Sequence, residues 1–135
     1  LAISLHAPNN ELRNKLMPVN KAYPLDLLME AIKNYIGKTN RRVTFEYIML
    51  DHVNDTKELA MELVNLLKGM NCYVNLIPYN ETSHIDFKKS SMERIQVFYD
   101  TLKKNNISVT IRREFGSELN AACGQLRSHH MEEIK

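Results

Sequence analysis

Residues 43–50 read Val-Thr-Phe-Glu-Tyr-Ile-Met-Leu, a run of β-branched, aromatic and apolar side chains that is typical of a buried strand. A polar loop follows at residues 51–55. Beyond it, a helix is predicted from about Thr56 to Lys68, with an apolar stripe at helical spacing and a stop at Gly69. A buried strand followed by an amphipathic helix is the unit from which α/β proteins are built.

The same alternation extends in both directions from this unit. Further strands are predicted at residues 1–6, closed by Ser4 and His6, at 72–79, with pairing stopped by Pro78, and at 107–111. Further helices are predicted from the turn 8–10 to Leu16, from Pro24 to a stop at Gly37, and after a cap at Ser90 or Ser91. The order β-α-β-α-β-α-β predicts a parallel sheet with right-handed crossovers. A flavodoxin-like sheet and part of a (βα) barrel both fit this order.

Composition narrows the class of protein. The chain has 135 residues, 44% of them hydrophobic and 25% charged, which is enough for one globular domain with its own core. Two cysteines make neither a disulfide framework nor a zinc site, so a reducing, cytoplasmic setting is expected. No run of residues resembles a signal peptide or a membrane helix, so no membrane partner is expected. Because the chain opens inside what reads as a buried strand, we expect it to be part of something longer.

Polar residues cluster where the predicted strands end. Ligands of parallel α/β proteins bind at the carboxyl ends of the strands, so this clustering predicts a site for a mixed polar and aromatic ligand such as a nucleoside. The members are Ser4, His6, Asp51, His52, Asn54, Tyr79, Asn80, Arg112, Arg113 and the segment leading to Cys123. Glu46, inside the second strand, either faces solvent or pairs with Arg41 or Arg42, or it points into a central cavity.

Cys123 lies within Asn-Ala-Ala-Cys-Gly-Gln-Leu, residues 120–126, where small neighbours leave its sulfur uncrowded. Two interpretations stay open from the residues alone: a small buried hydrophobe, or an accessible thiol that does chemistry. Cys72 is expected to be a core or edge thiol. His129 and His130, adjacent in a polar tail, are not expected to bind metal.

Five motifs resemble the RlmN/Cfr family of radical S-adenosylmethionine (SAM) enzymes. They are Ser4-Leu5-His6-Ala7-Pro8, Phe45-Glu46-Tyr47, Val53-Asn54-Asp55, the run 74–80 and the run 121–126. The resemblance covers residues 1–128, followed by a polar tail at 129–135, and it implies the C-terminal half of an incomplete (βα)6 radical-SAM barrel. The family's three-cysteine 4Fe-4S motif, its general-base glutamate and its resolving cysteine would lie upstream. The resemblance thus implies no metal ligand in this chain, an inactive fragment and a possible non-native dimer of that fragment.

The resemblance also implies an activity and a set of site residues. Ser4, Leu5, His6 and Asn80 match positions that contact SAM, and Cys123 matches the cysteine that is methylated during catalysis. The family methylates an adenine of 23S rRNA and, in the RlmN branch, of tRNA. Pro78 and the Ser4–Pro8 run are closer to the RlmN branch, which modifies carbon-2, than to the Cfr branch, which modifies carbon-8.

Two departures from the family pattern concern RNA contacts. Residues 81–87 lack the usual proline, and Asn120 stands where an acidic residue is common. A competing hypothesis is a non-catalytic α/β module that binds RNA or a nucleotide. Its phosphate contacts would come from Arg112, Arg113, Lys88 and Lys89.

Overall fold

The computed structural model describes residues 1–79 and 87–112, which form one parallel sheet with its strands in the order β1-β2-β3-β4. The strands are β1 Ala2–Ser4, β2 Val43–Met49, β3 Cys72–Pro78 and β4 Ser108–Ile111. The helices are α1 Asn10–Leu16, α2 Leu25–Thr39, α3 Lys57–Leu67 and α4 Met92–Lys104, with a 3-10 turn at Pro18–Lys21.

The strand order decides between the two folds that the sequence left open. Each strand pairs with the next one along the chain, so every crossover steps in the same direction across the sheet. Right-handed crossovers that never reverse direction place their helices on one face, as in a (βα) barrel, whereas a flavodoxin-like sheet reverses. The predicted partial barrel is therefore confirmed, and the flavodoxin-like alternative is wrong.

The helix-covered face of the sheet holds the main core. On β2, the side chains of Val43, Phe45, Tyr47 and Met49 are all fully buried on this face. Their helical partners are Leu25, Met29 and Ile32 of α2, Ala60, Leu63, Val64 and Leu67 of α3, and Ile95, Phe98 and Leu102 of α4. The alternation read from residues 43–50 is thus the alternation between the two faces of the sheet.

The opposite face of the sheet, which would be the interior of a closed barrel, has an apolar end and a polar end along the direction of the strands. Its carboxyl-terminal end is apolar and packs against α1, with Ala7, Leu16, Met17, Ile48, Leu50, Ile77 and Tyr79 in a second buried cluster. Toward the amino-terminal end, Thr44, Glu46 and Asn75 make it polar and half-buried. Of the site residues predicted from the sequence, Ser4, Leu5 and His6 lie at the carboxyl end of β1.

Several boundaries differ from the sequence predictions. The first strand spans only Ala2–Ser4 rather than residues 1–6, because His6 has a φ of 61° and turns out of the extended conformation. The second helix passes Gly37 and ends at Thr39, because the cap residue Asn40 has a left-handed φ of 59°. Asn106, with φ 66°, delays the fourth strand to Ser108.

Of the N-caps of α1, α3 and α4, two agree with the sequence predictions. Asn9 accepts a hydrogen bond from the Leu12 N–H and caps α1, and Ser91 caps α4, both within the predicted ranges. The loop residues Asn54 and Asp55 were also expected to be able to cap α3, but the cap is Thr56, whose side chain accepts from the Leu59 N–H. The side chains of Asn54 and Asp55 are occupied elsewhere.

Some predictions lie outside the described residues: the boundary at 128, the tail at 129–135, and the positions of Asn80, Arg113 and Cys123. Within the described part of the chain, no helix has the length and apolar character needed to cross a membrane.

Candidate functional site

The turn that leaves β1 is the centre of the candidate site. His6 is fully buried there, and its imidazole takes the place of a backbone group, because the Ile48 N–H donates to His6 Nδ1 at 3.0 Å. Since Nδ1 is the acceptor of this bond, the proton of the neutral ring lies on Nε2.

Burial, and secondarily the positive charge of Arg13, lower the pKa of His6 to about 3, so the ring is neutral at physiological pH. The Nε2 atom is also buried, and it has no hydrogen-bond partner among the described residues. A buried N–H without an acceptor is costly, and this one is a donor available to a ligand at the end of β1.

Arg13 of α1 holds the backbone of the same turn. Its Nε donates to the Leu5 carbonyl at 3.0 Å and its Nη2 to the Ser4 carbonyl at 2.9 Å. The third nitrogen, Nη1, donates to Asn20 Oδ1 at 2.7 Å. Arg13 is only 4% exposed, and burial lowers its pKa, although arginine starts high enough to stay charged near neutral pH.

Asn54 ties the ends of β1 and β2 together. Its Nδ2 donates to the His6 carbonyl at 2.8 Å and to the Ile48 carbonyl at 2.7 Å, and its Oδ1 accepts from the Leu50 N–H at 2.8 Å. The Tyr47 hydroxyl donates to the Asn54 carbonyl at 2.7 Å. Asn54 was predicted to be one of the polar residues of a ligand site at the strand ends, but it is fully buried and instead holds the two strand ends together from inside.

Asp55 joins the loop after β2 to the start of α4. Its carboxylate accepts from Ser90 Oγ at 2.6 Å, from Arg94 Nε and Nη2 at 2.8 and 2.7 Å, and from the His52 N–H at 3.0 Å. Burial raises the pKa of Asp55, but the hydrogen bonds from Arg94 and Ser90 and the charge of Arg94 outweigh burial, and the net shift is downward. The side chain of Asp51 adjoins this network, 3.6 Å from Arg94 Nε, and also lies 2.9 Å from His52 Nδ1, whereas the His52 side chain is largely exposed.

The partner of Glu46 differs from the prediction. Its carboxylate accepts from Arg112 Nη2 at 2.7 Å, whereas Arg42 stacks 4.7 Å above the ring of Tyr73. With its amide oxygen turned toward Arg112, Asn75 accepts from the same guanidinium at 2.9 and 3.1 Å. Arg112 is therefore engaged within the sheet, which argues against its predicted role as a phosphate contact.

The remaining predictions concern Cys72, metal binding and the SAM contacts. Cys72 is a free, buried thiol, as predicted, and burial raises its pKa to about 11. The described residues contain no group of three His, Cys, Asp or Glu side chains that could hold a metal ion. Of the predicted SAM contacts, Ser4, Leu5 and His6 lie together at the end of β1, while Asn80 and the catalytic candidate Cys123 fall outside the described residues.

Sequence reasoning missed Arg13 and Asn20, which are both buried. One signal was available for Arg13, since it lies three residues before Leu16 and therefore shares the buried face of α1. Nothing in the sequence indicated which carbonyls it would hold.

Two solved structures share this α/β partial barrel, and one of them is a radical SAM methyltransferase. A radical SAM methyltransferase from Sphaerobacter thermophilus matches with a TM-score of 0.86 and 49% identity over 95% of this chain and 38% of its own. A domain of pyruvate-formate lyase-activating enzyme from Bacteroides vulgatus shares the fold alone, with a TM-score of 0.64 and 17% identity over 83% of this chain and 66% of its own.

The sequence comparison specifies the family. No protein-family model matches the chain. A protein from Caldanaerobacter subterraneus subsp. tengcongensis, "Probable dual-specificity RNA methyltransferase RlmN", is 58% identical over 133 residues, which is 98% of this chain. The chain belongs to the RlmN/Cfr family of radical SAM methyltransferases, and it spans 39% of the length of that relative.

The family implies two cofactors, and the described residues fit one of them. SAM carries acceptor atoms on its adenine, ribose and carboxylate, and the unpaired His6 Nε2–H is a donor for such an atom. The described residues do not fit a 4Fe-4S cluster, since no three metal-binding side chains come together in them.

Proposed function

We propose that the full-length protein containing this chain methylates carbon-2 of adenine in 23S rRNA and tRNA, with SAM as the methyl donor. The observation that carries the proposal is the buried, unpaired Nε2–H of His6 at the carboxyl end of β1, in a chain 58% identical to a protein named as a dual-specificity RNA methyltransferase. The printed name of that relative supports RNA as the substrate class.

In this proposal SAM lies against the Ser4–His6 turn. The His6 Nε2–H donates to an acceptor of the cofactor, and the buried side chains of Leu5 and Ala7 exclude water behind it. Asn80 follows two residues after β3 ends at Pro78, and it would add an amide contact from a neighbouring strand. When bound, SAM supplies the methyl group.

Cys123 is the proposed carrier of that methyl group. Its thiolate would attack the methyl carbon of SAM, so that an S–CH3 bond forms on Cys123 as the bond from that carbon to the sulfonium sulfur breaks and S-adenosylhomocysteine leaves. The small neighbours at 121, 122 and 124 leave room for the approach of both cofactor and RNA. In this proposal the ligands of the 4Fe-4S cluster lie upstream of this chain, as the resemblance implies.

The test is the mass of the peptide carrying Cys123, isolated from the full-length protein expressed with its cluster assembled. A single added methyl on that sulfur is expected, and Cys123→Ala should abolish methylation of RNA. An unmodified thiol in protein shown to bind SAM and hold its cluster, or turnover by Cys123→Ala, would refute the proposal. Cys72→Ala is the matched control and should leave turnover unchanged, because Cys72 is buried within the sheet.

The modified nucleoside separates the two branches of the family. Digestion of the methylated RNA should yield 2-methyladenosine, whereas 8-methyladenosine would place the protein in the Cfr branch. RNA binding that persists without any methylation, with cluster and SAM present, would favour the non-catalytic module instead. A cytoplasmic location and dimerisation of the isolated fragment stay predictions.

A further inference from the structure

Every carbonyl of the Ser4–His6 turn is bonded by a buried side chain from elsewhere in the chain. Arg13 takes the carbonyls of Ser4 and Leu5, and Asn54 takes that of His6. The Leu5 N–H is also used, since it donates to the Glu46 carbonyl at 2.9 Å. A ligand that approaches this turn therefore meets its side chains rather than free backbone acceptors.

The chemistry of arginine suits this task. Its planar guanidinium presents adjacent donors at fixed spacing, so one side chain reaches two successive carbonyls, which a single ammonium group cannot do with the same geometry. Arg13 is in turn held by Asn20, whose Nδ2 donates to the side-chain oxygens of Asn10 and Asn14 at 3.0 and 2.7 Å. The guanidinium is thus fixed on both sides.

Burying the charged side chain of Arg13 costs free energy, so its presence at this turn needs an explanation. Arg13 is a nearly fully buried cation, and among the described residues no carboxylate pairs with it. A buried charge is usually paired, and its desolvation is only partly offset by carbonyl oxygens. The hydrogen bonds from Arg13 and Asn54 stabilise a turn in which the backbone of His6 lies in the left-handed region, where a residue with a side chain is strained.

We propose that Arg13 and Asn54 are positioning residues that hold the Ser4–His6 turn, before ligand arrives, in the one conformation that points the His6 Nε2–H at SAM. This inference rests on the proposed function, because it assumes that SAM binds at the turn. It assigns roles to two residues that contact the backbone of the turn and not the reacting atoms.

The first test is Arg13→Lys in the full-length protein that contains this chain. The variant keeps the positive charge but loses the two adjacent guanidinium donors that bond the Ser4 and Leu5 carbonyls. Kd and KM for SAM should therefore rise about tenfold or more, while KM for RNA is unchanged. Arg94→Lys is the control, since it removes two guanidinium donors of similar geometry from Asp55, away from the Ser4–His6 turn. It should lower the unfolding midpoint and leave Kd for SAM unchanged.

The outcomes are distinct. If Arg13→Lys binds SAM within about twofold of the unaltered protein, or if Arg94→Lys weakens SAM binding equally, the positioning role is refuted while the proposed function stands. If the unaltered protein, with its cluster assembled, binds no SAM, the proposed function fails first.

A second measurement needs no variant and covers the case in which Arg13→Lys does not fold. The Ile48 amide, bonded to His6 Nδ1, reports whether the turn is formed in advance. Its hydrogen exchange in the unaltered full-length protein should be equally slow with and without SAM. An amide that exchanges fast until SAM is added would mean that the ligand, rather than Arg13 and Asn54, orders the turn.

Discussion

Replacing Asp55 with asparagine is the sharpest stability test that the structure offers. The Asp55 side chain is fully buried and accepts four hydrogen bonds, two of them from Arg94. Asparagine has nearly the same shape but carries no charge, and it turns an N–H2 toward groups that are donors. The change therefore removes the charge and one of the two accepting oxygens of Asp55 while nearly keeping its volume.

The expected loss in the free energy of unfolding depends on how deeply Asp55 and Arg94 are each buried. Breaking a buried ion pair by removing one partner costs about 3 to 5 kcal/mol. Arg94 is 31% exposed, so water can reach its guanidinium again and offset part of that loss. We expect Asp55→Asn to lower the free energy of unfolding by about 2 to 3 kcal/mol.

Urea unfolding of the full-length protein at pH 7 measures this loss, with Asp51→Asn as the matched control. Asp51 is 28% exposed and lies 3.6 Å from Arg94, so its substitution should cost less than about 1 kcal/mol. A double-mutant cycle with Arg94→Lys should show coupling of about 1 kcal/mol or more. A loss below about 1 kcal/mol for Asp55→Asn, or additive effects in the cycle, would refute the reasoning.

The pH dependence has a definite sign. Because the folded-state pKa of Asp55 lies below that of the unfolded chain, the stabilisation is present above the unfolded pKa of about 3.9 and is lost as pH falls through the folded value. Asp55→Asn should remove this component of acid sensitivity.

Two further predictions concern His6 and Cys72. Burial lowers the folded-state pKa of His6 to about 3 from an ordinary 6.5, so the free energy of unfolding should fall as pH drops from 6.5 toward 3. Urea unfolding of His6→Gln at a series of pH values should show a shallower fall, and an equally steep fall would contradict the assignment. Cys72 is buried with a pKa raised to about 11, so iodoacetamide at pH 8 should leave it unmodified in folded protein and alkylate it in urea, as mass spectrometry of its peptide would show; rapid native alkylation would contradict its burial.

Local sequence signals were accurate wherever neighbouring residues decide the structure. The apolar stripes of the helices and the alternation in 43–49 predicted which side chains enter the core, because periodicity places residues on faces irrespective of distant contacts. Caps at Asn9 and Ser91 were predictable for the same reason. Gly37 failed as a helix stop, because the helix retained its hydrogen bonds for two further residues, to Thr39.

The polar residues at the strand ends of the candidate site could be predicted from the sequence, but their contacts with distant residues could not. The polar residues that follow each strand were recognisable because strand ends can be read locally, and His6 was among them. The bonding partners of that turn were not recognisable, since Arg13 reaches back across eight residues and Asn54 across 48. Glu46 was likewise noticed, but its partner Arg112 lies 66 residues away.

By itself, the sequence determined the order of strands and helices, the parallel α/β class and the family, because each of these depends on spacing or on contiguous motifs. The family resemblance implied a partial barrel, but the order of strands and helices alone also fitted a reversing sheet, and only the tertiary structure showed that the strands run sequentially across the sheet. It alone showed that His6 is neutral with its donor unpaired and that Asn54 holds the ends of β1 and β2 together from inside. Those properties depend on burial and on contacts between distant segments, which no local pattern specifies.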